Sequence, residues 1–236
     1  MAITEYQLSD RFLKDDGRVF LTGVQALARL PIELMRIDKR NGLTTAAFVS
    51  GYPGSPLGGF DMELEKALRV ATDVDVVLQP AVNEELGATA VMGSQLATEQ
   101  PDATYEGVLG IWYGKGPGID RAGDALRHAN FTGTSSKGGA IALVGDDPAA
   151  KSSTIPSSSD ATIYDLHMPL FYPGDVQEII DLGRHAVALS RMTGLWTSMK
   201  IVSPVADGSG TVDLGLDRVE IVTPDLSIPG DPNGTI

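Results

Sequence analysis

The sequence predicts an α/β fold, a mostly parallel six-stranded sheet with helices on both faces. Three observations carry that expectation. Short apolar runs alternate with amphipathic helical stretches along most of the chain, the pattern of strands joined by helical crossovers. The strand runs are unbroken rather than alternating, as in a sheet buried on both faces. The Gly-, Pro- and Ser-rich loops, at 50–60, 80–84, 113–119 and 145–160, all follow the C-terminal ends of strands, the edge where open α/β sheets bind ligands.

Residues 1–20 are polar and mixed and are expected to be an N-terminal arm lying over another surface. Thr22 is placed to cap a helix, GVQALARLPIELMRIDKR, with Leu27, Leu30, Leu34 and Ile37 on one face. Pro31 should kink it, and Asn41-Gly42 should stop it. A strand at 46–50 runs into GYPGSPLGGFD, a loop with four Gly and two Pro. A helix over about 61–70, a strand at 74–78 and a helix opening at Glu84 follow. Further strands are expected at 106–112, 139–144, 169–172 and 198–202, and helices over about 120–130 and 175–193. From about residue 204 the chain is rich in Gly, Asp and Pro. The domain is therefore expected to span 21–205, with 206–236 a linker or truncated tail.

Eighteen basic against 31 acidic residues give a net charge of −13, which argues against nucleic acid or an anionic membrane as the main partner. Small anions could still be held by local cations or helix N-termini. With no cysteine, this chain holds no disulfide, thiolate nucleophile or iron–sulfur cluster. Its three His, at 128, 167 and 185, are widely spaced, so no His-based metal site is expected. No long apolar stretch is present, and a cytoplasmic protein is expected.

The stretch PAVNEELGATAVMGSQLATEQ (80–100) concentrates the chemistry. Glu84 and Glu85 stand at the mouth of a helix whose Gly87, Ala88, Ala90, Gly93, Ser94 and Ala97 add little bulk. An acid there suits the helix dipole, but the glycines are poor choices for helix stability alone. Such a helix can lie close against a sheet or against its own copy in a partner. YGKGPGID fails both the Walker A and the GxGxxG patterns, and no GxSxG elbow is present. Lys115 could contact an anion or be solvated. Asp146-Asp147 could bind a metal or cap a turn, and KSSTIPSSSD could be a lid or a surface loop. His128 fits packing or surface.

Taken together, SGYPGSPLGGFD (50–61), NEELGATAVMGSQ (83–95), GIWYGKGPGIDRAGDALRHANFTG (110–133), GGAIALVGDDPAAKSSTIPSSSD (138–160) and MPLFYPGDVQEIIDLG (168–183) resemble the thiamine-diphosphate-dependent 2-oxoacid:ferredoxin oxidoreductases. The nearest group is the indolepyruvate ferredoxin oxidoreductases in their bacterial long-chain form. The resemblance runs in order over 20–205. It implies the pyrimidine-binding domain, the N-terminal unit of a longer chain. In that reading Glu84 contacts the cofactor's aminopyrimidine and promotes loss of the thiazolium proton. A carboxylate pressed against an apolar ring can share a proton with a weakly basic ring nitrogen. Glu85 is then a first-turn residue.

The family's YPxTP loop falls on Tyr52–Pro56, with Ser55 where relatives have Thr, so Tyr52 and Ser55 are the expected substrate contacts. Leu57-Gly58-Gly59 replaces the family's Ser-Ser-Glu. Gly54, Gly87, Lys115 and Gly116 are the remaining candidates for cofactor contact.

The implied reaction decarboxylates an aryl 2-oxoacid to acyl-coenzyme A and sends electrons to ferredoxin. Mg²⁺ and iron–sulfur clusters would be held elsewhere, because the only local Asp-Gly, at 207–208, lacks the family's GDG context. The implied partners are a diphosphate-binding domain of the same or another subunit and, in a homodimer, a second copy. Two alternatives stay open: a stand-alone remnant that binds a partner subunit without catalysis, and another thiamine-dependent decarboxylase.

Overall fold

The computed structural model describes residues 6–224. The elements run α1 (Asp10–Leu13), β1 (Asp16–Thr22), α2 (Gly23–Arg40), β2 (Thr45–Gly51), α3 (Phe60–Leu68), β3 (Val76–Leu78), α4 (Glu84–Gln95), β4 (Gly107–Lys115), α5 (Gly116–Arg121), α6 (Gly123–Thr132), β5 (Ala140–Asp146), α7 (Asp160–Asp165), β6 (Leu170–Phe171), α8 (Val176–Thr193), β7 (Thr197–Val202), α9 (Ser203–Ala206) and β8 (Ser209–Gly215). Six strands form one sheet in the order β3-β2-β4-β5-β7-β6, and every pair in it is parallel. The expected α/β architecture is the one observed.

Strand alternation divides the core. Ala47, Val49, Leu109, Ile111, Ile141, Leu143, Met199 and Ile201 face one side, with α2, α3 and α8. Trp112, Ala140, Ala142 and Val144 face the other, with α4 and α6. Helices therefore cover both faces, and the continuous apolar strand sequences follow from that. The chain passes from β2 to β3 on one side and then back to β4 on the other. The order reverses between β2 and β4, so the crevice beyond their carboxyl ends is the topological switch point.

Local chemistry sets the helix starts. The Thr22 hydroxyl accepts from the Gln25 amide at 3.2 Å, and the Gln25 carboxamide accepts from the Thr22 amide at 3.0 Å, a reciprocal capping box. Asn83 caps α4 through the Leu86 amide at 2.8 Å, and Asp175 caps α8 through Glu178 at 2.9 Å. Helix α2 runs unbroken through Pro31. The expected helix at 120–130 begins earlier, at Gly116 with Pro117 in its first turn, and divides at Ala122. Strand β4 extends three residues past the expected end, through Tyr113-Gly114-Lys115.

The largest departure lies at the two ends. Residues 16–20 are expected in an arm lying over another surface and 209–215 in a linker or tail, but 16–22 and 209–215 pair as an antiparallel ribbon, Asp16 with Gly215 through Thr22 with Ser209. The ribbon packs on its own domain, because Val19, Leu21, Val212 and Leu214 are buried in the α2/α8 side of the core. Buried arginines of α2 and α8 secure it. Arg29 donates to the carbonyls of Arg11 and Lys14 at 2.7 and 2.6 Å, and Arg184 donates to that of Gly215 at 2.9 Å. Glu33 joins the two, accepting from Arg29 Nε at 2.7 Å and from Arg184 Nη2. Arg36 holds both carboxylate oxygens of Asp73 at 2.8 and 2.9 Å and the Phe12 carbonyl at 2.8 Å. Residues 225–236 of the expected tail lie outside the described residues.

Candidate active site

Parallel register brings the loops that follow β2, β4 and β5 into one row. Gly51 lies opposite Tyr113, Lys115 opposite Gly145 and Asp146 opposite Val202. Glu84 enters this row at the first residue of α4 and is only 8% exposed. Its backbone carbonyl accepts from the Trp112 indole at 2.9 Å, which ties the helix start to β4. Among the described residues its carboxylate accepts no hydrogen bond, and its ion-pair partner is Arg121 at 3.9 Å, a 60% exposed side chain. The carboxylate lies on α5: a Cβ at Gly118 would stand 2.8 Å from Glu84 Cγ and 2.9 Å from Oε1. A sheltered acid with free hydrogen-bonding capacity at the carboxyl edge of the sheet can take a hydrogen bond from a ligand.

The small residues of α4 allow the expected close approach to the sheet. A Cβ on Gly87 would lie 2.8 Å from Gly51 Cα, and one on Gly110 would lie 2.7 Å from Val91 Cγ1. Gly87 is thus used by helix–sheet packing. Because Gly51 is backbone and cannot move cheaply, Gly87→Ala is expected to destabilise by about 1–3 kcal/mol, outweighing the gain of up to ~1 kcal/mol in helix propensity. Gly93 meets nothing within 4 Å, so in urea titrations of the two variants Gly93→Ala is expected to shift stability in the opposite direction.

The loop after β2 carries Tyr52, which is partly exposed and donates its amide to the Tyr113 carbonyl at 3.1 Å. The peptide between Ser55 and Pro56 is cis, and Pro56 and Leu57 lie across Gly145. Lys115 lays its stem over Gly54, whose absent Cβ would be 2.8 Å from Lys115 Cδ. Gly116 lies beneath the loop after β5, against Ser157 and Asp146 Oδ1. Tyr52, Gly54, Ser55, Glu84, Lys115 and Gly116 therefore occupy one edge. His128 lies outside it, an exposed side chain 3.8 Å from Asp124.

Both acids at the end of β5 serve the loop. Asp146 accepts from the Ser159 amide at 2.8 Å and hydroxyl at 2.6 Å. Asp147 accepts the amides of Lys151, Ser152 and Ser153 at 3.0, 2.8 and 3.0 Å. The Ser-rich segment is thus wound around two buried carboxylates and ends in α7, and among the described residues no cluster of three metal-ligating side chains is found. The amide of Ser152, with those of Lys151 and Ser153, holds the Asp147 carboxyl at about 2, below its ordinary value. A carboxyl lowered on folding stabilises above its unfolded value and loses that contribution as pH falls through its folded one. Hydrogen exchange at Ser152 and Ser153 is accordingly expected to stay slow down to about pH 4 and to quicken toward about pH 2, whereas Asp147→Asn should quicken it at neutral pH.

Sequence reasoning passed over Gly118, Arg121 and Ser152. Gly118 lies on a helical turn that the sequence reads as loop and Arg121 at the start of the expected 120–130 helix, and only the fold carries both to Glu84. The serines after Asp147 were visible, but not the amide bonds that orient them. A concavity of about 380 Å³ between α2, α8 and residues 216–223 is lined by none of these residues.

The fold is shared with solved structures of known proteins. The solved 2-oxoglutarate:ferredoxin oxidoreductase from Magnetococcus marinus superposes with a TM-score of 0.62 at 17% identity over 89% of this chain and 33% of its own. A candidate thiamin diphosphate-dependent enzyme from Mycobacterium smegmatis gives 0.52 at 17% identity, over 84% and 34%. More particularly, the chain is similar to indolepyruvate oxidoreductase subunit IorA of Methanothermobacter thermautotrophicus, 26% identical over 203 residues. That alignment covers 86% of this chain and 29% of the relative, so the chain spans under a third of the curated relatives it matches. No family model matches the chain. Among the described residues no helix is long and apolar enough to cross a membrane.

Proposed function

We propose that this chain is the pyrimidine-binding domain of an indolepyruvate-type 2-oxoacid:ferredoxin oxidoreductase. The observation that carries the reading is Glu84, a sheltered carboxylate with no hydrogen-bond partner among the described residues, on the ligand-binding edge of a sheet with this topology. The similarity to IorA subunits supports the 2-oxoacid class. Bound thiamine diphosphate supplies the carbon nucleophile and the electron sink for decarboxylation. Glu84 holds or passes a proton at the pyrimidine ring nitrogen, Trp112 fixes the start of α4, and Gly118 leaves room for the carboxylate. Tyr52 and Ser55 face the substrate side.

The diphosphate, its Mg²⁺ and the iron–sulfur clusters belong to other domains or subunits, and a second copy of the chain completes a homodimer. One 2-oxoacid and one coenzyme A give one acyl-coenzyme A, one carbon dioxide, a proton and two electrons for ferredoxin. The test is viologen reduction by the intact polypeptide with thiamine diphosphate, Mg²⁺, coenzyme A and indolepyruvate. Reduction dependent on all four supports the reading. Carbon dioxide release without dye reduction would identify a simple decarboxylase instead.

A further inference from the structure

Two groups beside Ser55 have no part in the function proposed above, although the sequence offers one of them, Lys115, as an anion or cofactor contact. The Ser152 hydroxyl, from the loop after β5, meets the Ser55 hydroxyl directly, and the pair is exposed. Lys115 lies across the neighbouring Gly54. We propose that Ser152 and Lys115 complete, with Ser55, a recognition site for the carboxylate of the 2-oxoacid. This assignment rests on the functional reading above.

The cation is selected by what its rivals already do. Lys151 is paired with Asp207 at 2.6 Å, Lys200 with Asp160 at 2.5 Å, and Arg121 faces Glu84. Lys115 makes no ion pair among the described residues, in a chain of net charge −13. Its stem is held by the last rung of β4 and by Gly54.

Two hydroxyls that meet at an exposed point add little to stability by bonding each other, since water serves either equally well. Turned outward, each can donate to one oxygen of an anion, and a nearby ammonium strengthens both bonds. The pair is also preorganised from beneath. Asp147 is fully buried, and by taking the amides of residues 151–153 it fixes where Ser152 stands. Asp147 is therefore a positioning residue for Ser152, as the Pro56–Leu57 contact with Gly145 is for Ser55.

The experiment measures steady-state constants of the intact enzyme with Ser152→Ala, Lys115→Gln and Ser152→Thr. Calorimetric titration with oxamate, a non-reacting 2-oxoacid isostere, runs beside it. Loss of one hydrogen bond or charge to a carboxylate is expected to raise KM for the 2-oxoacid about tenfold. The KM for thiamine diphosphate should be unchanged, and Ser152→Thr should keep most of the affinity. Oxamate should bind the parent protein and lose affinity in step with KM. Unchanged 2-oxoacid KM in both deletions, or a rise confined to the cofactor, overturns the proposal while leaving the oxidoreductase reading intact. Oxamate binding that depends on Ser152 and Lys115 in a protein that turns over no 2-oxoacid upholds the carboxylate site and removes the oxidoreductase reading.

Discussion

Glu84→Gln in the intact polypeptide is expected to lower viologen reduction by about 10²–10⁴, the usual scale for losing a positioned proton-transfer group. Glutamine keeps the size of the side chain and the helix start, so Asn83 still caps Leu86 and Trp112 still bonds the residue 84 carbonyl. Only proton exchange at the side chain is removed. The neighbouring Glu85 is the matched control. It is exposed on the same helical turn, and Glu85→Gln is expected to leave the rate within about twofold, as for a surface substitution. Equal rates for the parent and Glu84→Gln, with the fold intact by circular dichroism, would make Glu84 a helix-terminal acid and nothing more.

Glu33→Ala is expected to destabilise the protein by about 3–5 kcal/mol, the cost of stripping one partner from a buried ion pair. Arg29 is inaccessible, Arg184 nearly so, and Glu33 serves both. Burial pushes the Arg29 guanidinium below its ordinary value even with Glu33 beside it, so without the acid two buried cations face each other uncompensated. A typical domain has only about 5–15 kcal/mol in total, and this one substitution should lower the urea midpoint markedly. The β1/β8 ribbon is expected to loosen first, because both arginines hold its backbone carbonyls or those beside it. By contrast Arg69→Ala, which breaks an exposed i,i+4 pair with Glu65, is expected to cost about 0.5 kcal/mol or less. Comparable effects from the two changes would refute the buried-knot account.

Much of this architecture can be read from residue order alone. Period and composition are local properties, so the six sheet strands, the cap at Thr22, and the side of the sheet that carries the polar loops all follow from neighbours in sequence. Glu84 stood out for the same reason, as an acid at a helix mouth followed by residues too small to be there for helix stability.

The remainder depends on residues far apart in the chain. The ribbon of β1 with β8 joins segments nearly 200 positions apart. Each reads as a polar arm or tail, because a two-stranded edge with one buried face buries only two apolar residues per strand as a signal. The Arg29–Glu33–Arg184 knot shows in sequence only as charges on helices, which normally mark solvated faces. Its burial is decided by how α2 and α8 cross. Likewise Gly118 meets Glu84, and Ser152 meets Ser55, only because parallel register stacks β2, β4 and β5 with their ends level. Short-range chemistry thus specified the elements and which edge carries the polar loops, while the partners of each side chain on that edge were set by packing between strands that sequence distance does not connect.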